Sequence, residues 1–164
     1  MNSQFVVGID VGGQTTKMGV VDARGTVLAQ TVIRTDTHHE VEKYIAEVGE
    51  ALRKIIAEAG AEGNIRGIGV GAPNANYYTG TIENAVNLVW GGTQSIPFAK
   101  LLSEEMGGLP VSLTNDANAA AVGEMTYGAA RGMKNFIMIT LGTGVGSGIV
   151  INGNVVYGHD GFAG

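Results

Sequence analysis

Asn115 and Asp116 stand together at the seam between the apolar end of "VSLT" and the alanine-rich run "ANAAAV". An Asn or Asp at the start of a helix accepts hydrogen bonds from the first free N–H groups, so capping accounts for one of the pair and leaves the other unexplained. A carboxylate at the end of a strand in a parallel α/β sheet also points into the crevice where such sheets bind ligands. There it can take a proton from a reacting hydroxyl. On these residues alone, helix cap and general base both stay open for Asp116.

Two glycine-rich turns offer a second kind of chemistry. Backbone N–H groups aimed into a concavity hold phosphate well, and glycine permits both the positive φ and the close approach that such nests need. In "DVGGQTTK", Asp10 can hold Mg2+ directly or through water, Gly12 and Gly13 bare the backbone around Gln14, Thr15 and Thr16 carry hydroxyls, and Lys17 carries a positive charge. In "GTGVGSG", Gly142, Thr143, Gly144 and Gly146 make a second candidate loop. The competing reading of each is a plain Gly-rich hairpin. Two such loops in one chain favour the phosphate-binding reading. Other patterns fall away. Gly67, Gly69 and Ala72 have a GxGxxA spacing, but Pro73 and Asn74 follow where a dinucleotide-binding fold opens its helix, and no GxxxxGK[ST] loop is present. His38 and His39 are expected to face solvent, and His159 has no evident partner, so a histidine relay has little support.

These groups must be positioned by an α/β framework. "QFVVGIDV", "TKMGVVDA" and "TVLAQTVI" read as three strands of an antiparallel meander. Thr37 and Glu40 have the spacing of a capping box ahead of a helix with apolar positions at Val41, Tyr44, Ile45, Val48, Leu52 and Ile55. "RGIGVGA" then reads as a strand parallel to the first, because a crossover helix precedes it. Residues 73–95 keep neither period, and a connection of that length points to function. Pro97 opens a second helix, "PVSLT" is a strand, "DANAAAVGEMTYGA" a helix, and "NFIMITL" a strand that leads into the second glycine turn. "FVVGIDVGGQTTKMGVV" and "FIMITLGTGVGSGIVI" form a loose internal repeat of strand, Gly/Thr turn and strand. Composition bounds the rest. A formal net charge of −5 without Lys/Arg clusters argues against a nucleic-acid partner, and the absence of cysteine excludes disulfides and thiolate metal sites. With no apolar run long enough to cross a membrane and no leader-like start, a cytoplasmic protein is expected. The 27 glycines in 164 residues far exceed the usual ~7% and sit at discrete turns.

In order along the chain, "DVGGQTTK", "GAPNANYYTGTIENAVNL", "TNDANAAAVGE" and "TLGTGVGSGIV" resemble the first phosphate motif, sugar-loop signature, catalytic segment and second phosphate motif of the ROK family of sugar kinases, most closely its bacterial glucokinases. The resemblance implies an actin-like ATPase, ribonuclease H-like α/β fold: two lobes, a mixed sheet flanked by helices, and ATP and sugar in the cleft between. The expected division is residues 1–114 as the small lobe and 115–164 as the start of the second. It implies that Asp116 is the catalytic base, that Asn115 beside it binds a sugar hydroxyl, and that Thr81 and Asn87 contact the sugar. Residues 12–17 and 142–146 are then the phosphate loops. The implied reaction is Mg2+-assisted transfer of the ATP γ-phosphoryl group to a hexose, glucose at its 6-position first.

Asn74 departs from the family, which has glycine after the proline, although Asn tolerates left-handed backbone. The family's remaining sugar-binding Glu and His, its cysteine-rich zinc motif and its adenine site would all lie beyond Gly164. The chain is therefore expected to be an N-terminal fragment, inactive alone and prone to self-association as a homo-oligomer. N-acetylmannosamine, N-acetylglucosamine and fructose remain alternative sugars, and polyphosphate an alternative donor. A sugar-sensing regulator of the same family is the rival reading, and a chaperone-like ATPase of the same fold a third.

Overall fold

The computed structural model describes residues 4–142 and 144–164. Five strands form the main sheet. β1 (Phe5–Val11), β2 (Thr15–Asp22) and β3 (Val27–Arg34) pair antiparallel as the expected meander, and β4 (Ile65–Gly71) and β8 (Val111–Thr114) add parallel on the far side of β1, giving the order β3-β2-β1-β4-β8. Because side chains alternate across a strand, Val7, Ile9 and Val11 of β1, Met18 and Val20 of β2, and Ile68 and Val70 of β4 share one face, and all are buried.

That face is covered by two helices. In α1 (Val41–Glu58), Tyr44, Ile45, Val48, Leu52 and Ile55 recur at helical spacing and are buried, and α2 (Phe98–Glu105) adds Phe98 and Leu102. Each fully buried aliphatic side chain contributes roughly 1.5–3 kcal/mol of transfer free energy, so this layer is the main source of stability. The Thr37–Glu40 capping box does not form. The helix begins at Val41, so Glu40 is itself the N-cap and makes no side-chain cap bond, its carboxylate pairing with Lys43 at 3.0 Å instead. His38 is not left to solvent either, since its Nε2 lies 2.8 Å from Glu47 Oε2 on α1.

The stretch without periodicity is not structureless. β5 (Ala75–Asn76), β6 (Thr81–Glu83) and β7 (Ser95–Ile96) make a small antiparallel sheet whose strands are too short to show a period. Asn74 and Asn84 take positive φ, 53° and 52°, at its corners, which is where Asn replaces glycine at least cost. Asn74 Nδ2 then donates to the carbonyls of Glu83 and Asn84.

A third sheet follows α3 (Asp116–Tyr127): β9 (Phe136–Leu141), β10 (Val145–Ile151) and β11 (Asn154–Val155), all antiparallel. α3 rests on β10 because Gly148 has no side chain; a Cβ there would lie 2.7 Å from both Ala117 O and Ala121 Cβ. The helix also touches β4, where Ala119 Cβ sits 3.2 Å from the Cβ position of Gly71. α3 therefore bridges the two larger sheets. On the other side of β9 and β10, Ile137, Ile139, Leu141 and Val145 are exposed. Among the described residues no helix is long and apolar enough to cross a membrane.

Candidate functional site

The two sheets meet at the N-terminus of α3, and a cleft of about 400 Å3 opens there, lined by Ile9, Asp10, Gly71, Asp116, Ala119, Ala120 and Thr140. Asp10 reaches it from the C-terminal end of β1, and Thr140 from the matching end of β9. Asp116 is the first residue of α3, which starts directly after the parallel strand β8. This is the crevice beyond the carboxyl ends of parallel strands where open α/β sheets take ligands.

Asn115 and Asp116 make different hydrogen bonds at the start of α3. Asn115 is the N-cap, in extended conformation, with its Oδ1 accepting from the Asn118 N–H at 2.7 Å. Asp116 spends one oxygen on the adjacent Ala117 N–H at 2.9 Å and otherwise stands exposed at the cleft. Asn115 holds the N-cap position and serves the Asn118 N–H, while Asp116 serves the Ala117 N–H with one carboxylate oxygen and keeps the other for the cleft.

The first glycine turn is a hairpin closed by Val11 opposite Thr16, with Asp10 directly opposite Lys17 on the ladder. Both of the latter side chains project from the exposed face, so a carboxylate and an ammonium flank the turn. The Gly12 N–H is spent within the turn, on Thr15 O at 2.9 Å, and Gln14 O accepts from the Thr35 N–H at 2.9 Å. Amides offered to a phosphate must therefore come from the tip rather than from Gly12. Thr16 is a correction: its side chain turns inward, fully buried, with Oγ1 2.6 Å from the Tyr44 hydroxyl and 2.8 Å from Thr35 Oγ1. Alternation along β2 puts Thr15 outward and Thr16 inward, so only Thr15 can present its hydroxyl to a ligand.

The second turn repeats the plan. The Gly142 N–H donates to Gly144 O at 2.9 Å, and Leu141 pairs with Val145 to close it. Thr143 lies outside the described residues. Gly146 belongs to β10 rather than to the turn, and its missing side chain makes room for Thr140 Oγ1 and Ala117.

The expected sugar contacts are placed differently. Thr81 Oγ1 lies 2.6 Å from Thr79 Oγ1 and donates to Glu83 Oε1 at 2.7 Å, so its hydroxyl is engaged within β6. Asn87 is exposed, and its carbonyl lies 3.1 Å from the Cβ position of Gly13, which brings the sugar-loop segment directly against the first turn. Neither Thr81 nor Asn87 lines the cleft of Asp116. A larger groove of about 990 Å3 runs along the face of the main sheet opposite α1 and α2, with Asp10, Lys17 and the α3 residues Ala119 and Val122 in its wall, but not Asp116.

Sequence reasoning missed Thr140 and the Glu83 hub. Thr140 had a signal: in the internal repeat it stands two residues before Gly142, as Asp10 stands two before Gly12. Glu83 Oε1 gathers both the Thr81 hydroxyl and Asn76 Nδ2, and Asn76 Nδ2 also reaches Asp160 O at 3.0 Å. No periodicity announces such a bridge across 84 positions. For a divalent cation, the described residues contain no cluster of three or more carboxylate, His or Cys groups. Asp10 with Asp116 in one cleft nevertheless suits Mg2+, which keeps most of its waters and takes one or two carboxylates together with substrate phosphates.

Glucokinase from Halalkalibacterium halodurans is 40% identical over 166 residues, covering 100% of this chain and 49% of that protein. The chain thus spans about half the length of the curated relatives it matches. The crystal structure of a ROK family glucokinase from Streptomyces griseus in complex with glucose and AMPPNP superimposes with a TM-score of 0.78 at 33% identity, over 97% of this chain and 48% of that one. A xylose repressor from Caldicellulosiruptor bescii is 29% identical over 97% of this chain and 39% of its own length. The profile of the ROK family matches residues 6–164, from the first residues of β1 through both glycine turns. On that match the chain belongs to the ROK family, and it shares with the family's sugar kinases the actin-like ATPase fold.

Proposed function

We propose that the protein carrying this chain is a hexose kinase that transfers the γ-phosphoryl group of ATP to glucose at its 6-hydroxyl, with Asp116 as general base. The observation that carries the reading is the division of labour at α3: Asn115 caps the helix, and Asp116 is left at the cleft it shares with Asp10. As the sugar oxygen attacks the γ-phosphorus, its O–H proton passes to the Asp116 carboxylate, and the bond from the γ-phosphorus to the bridging oxygen breaks to release ADP. Positioned proton transfer of this kind contributes about 10²–10⁴-fold. Tip amides of the two turns and Lys17 offset charge on the phosphates, and Asp10 would hold Mg2+ through water. Bound there, the cation supplies neutralisation of phosphate charge.

The glucokinase relatives and the glucose and AMPPNP complex of the Streptomyces griseus protein support this reading. The repressor relative supports a sugar-sensing alternative. Asp10 and Lys17 flanking the first glycine turn favour an enzyme over a pure sensor, which needs neither. Two lobes divided near Asp116 are part of the proposal, as is pairing with a second copy through the bare apolar face of β9 and β10. A phosphorylation screen of the protein carrying this chain tests the reading. Glucose, N-acetylmannosamine, N-acetylglucosamine and fructose are offered with ATP or polyphosphate. Transfer to glucose from ATP is expected, and sugar binding without transfer from either donor would favour the sensor.

A further inference from the structure

The Gly12–Thr15 turn opens on two glycines, and glycine is the residue with most backbone freedom to lose. What holds it is buried behind it. Thr16 Oγ1, at the root of the turn, lies 2.6 Å from the Tyr44 hydroxyl of α1 and 2.8 Å from Thr35 Oγ1, and the Thr35 N–H ties Gln14 O at 2.9 Å. All three side chains are inaccessible to solvent. The Tyr44 ring in turn stacks on Trp90, centroids 4.8 Å apart at 24°, three residues after Asn87. The Asn87 carbonyl presses on Gly13, 3.1 Å from its Cβ position. Phosphate turn and sugar-loop segment thus touch each other directly, and Tyr44 touches the root of one and the anchor of the other.

We infer that Tyr44 is a positioning residue for nucleotide phosphate: its hydroxyl holds the first glycine turn in its binding shape through Thr16. The inference rests on the kinase reading for the identity of the ligand, but its geometry does not involve Asp116. Burial pushes the phenol up to about 12, with the Thr16 hydrogen bond partly opposing, so the hydroxyl keeps its proton at every working pH.

The test uses Tyr44→Phe, which keeps the ring, the Trp90 stack and the packing, and removes only the O–H. One hydrogen bond contributes net free energy equivalent to about a two- to tenfold change in an equilibrium constant. AMPPNP affinity is therefore expected to weaken by about threefold or more, while glucose affinity stays within twofold. Thr16→Val should weaken AMPPNP similarly, and the double variant should be no worse than either single one, because both cut the same link. Calorimetry on the protein carrying this chain reads AMPPNP affinity without any turnover. A purely structural Tyr44 would lower the melting temperature yet leave AMPPNP affinity unchanged. Equal AMPPNP affinity in the two folded proteins, or none in either, overturns the inference. Weakened AMPPNP binding in a protein that phosphorylates no sugar would leave it standing and remove the kinase reading instead.

Discussion

Replacing Asn115 by alanine removes the N-cap side chain of α3, and the structure sets the size of the effect. The lost bond is the 2.7 Å contact from the Asn118 N–H to Asn115 Oδ1, and Asn118 is 1% exposed, so water cannot substitute freely. Loss of a cap costs about 1 kcal/mol, within about 0.5–2, and a buried N–H without a partner moves the cost to the upper half of that range. At about 2–4 °C per kcal/mol for a domain of this size, Asn115→Ala should lower the melting temperature by about 3–8 °C. Asp116→Asn should do much less. It keeps an oxygen for the Ala117 N–H and loses only a solvent-screened interaction with the helix N-terminus, at the low end of about 0.3–1 kcal/mol. Urea unfolding followed by circular dichroism reads both, provided the m-value is unchanged. If Asp116→Asn shifted the midpoint more than Asn115→Ala, the cap would belong to Asp116, and the argument that frees its carboxylate for chemistry would be wrong.

Gly148→Ala should destabilise by about 1–3 kcal/mol, because the new methyl meets Ala117 O and Ala121 Cβ at 2.7 Å. Gly123→Ala, with open space around it in the same helix, should stabilise by about 0.5–1 kcal/mol, and the two are compared in one denaturant series. Stability should fall between about pH 10, where a phenol in an unfolded chain ionises, and about 12, where buried Tyr44 does, because over that window the unfolded chain releases a proton that the native state keeps. The loss is up to about 3 kcal/mol for a two-unit difference, and Tyr44→Phe should flatten that part of the curve. Light scattering at tens of micromolar should show self-association through the face of Ile137, Ile139, Leu141 and Val145, and a clean monomer would argue against that surface.

Much of this architecture was legible because it follows from periodicity. The antiparallel meander, the parallel return of β4 after α1 and the strand-turn-strand repeat all come from alternation at two or 3.6 residues, and each is present. Elements too short for a period were not: β5, β6 and β7 are two or three residues long and are held by Asn74, Asn76 and Glu83 rather than by an apolar stripe. The site divides the same way. Asp10, Lys17, Asn115 and Asp116 lie at the strand ends and helix start where sequence signatures put them. Thr16 was misplaced because hydroxyls look alike until the alternation of β2 assigns Thr15 outward and Thr16 to Tyr44. The bond from Thr81 to Glu83 was not legible, because it is a local pairing that no motif announces.

The central claim is that Asp116 takes the proton, and one comparison reaches it. In the protein carrying this chain, glucose affinity by calorimetry and steady-state kcat are measured for the parent and for Asp116→Asn. The amide keeps the size and polarity of the carboxylate but cannot accept the proton. A base predicts glucose affinity within a few-fold of the parent and kcat lower by ~10²-fold or more. A variant that binds glucose normally and turns it over at near-parental kcat would contradict the mechanism and leave Asp116 with no chemical role.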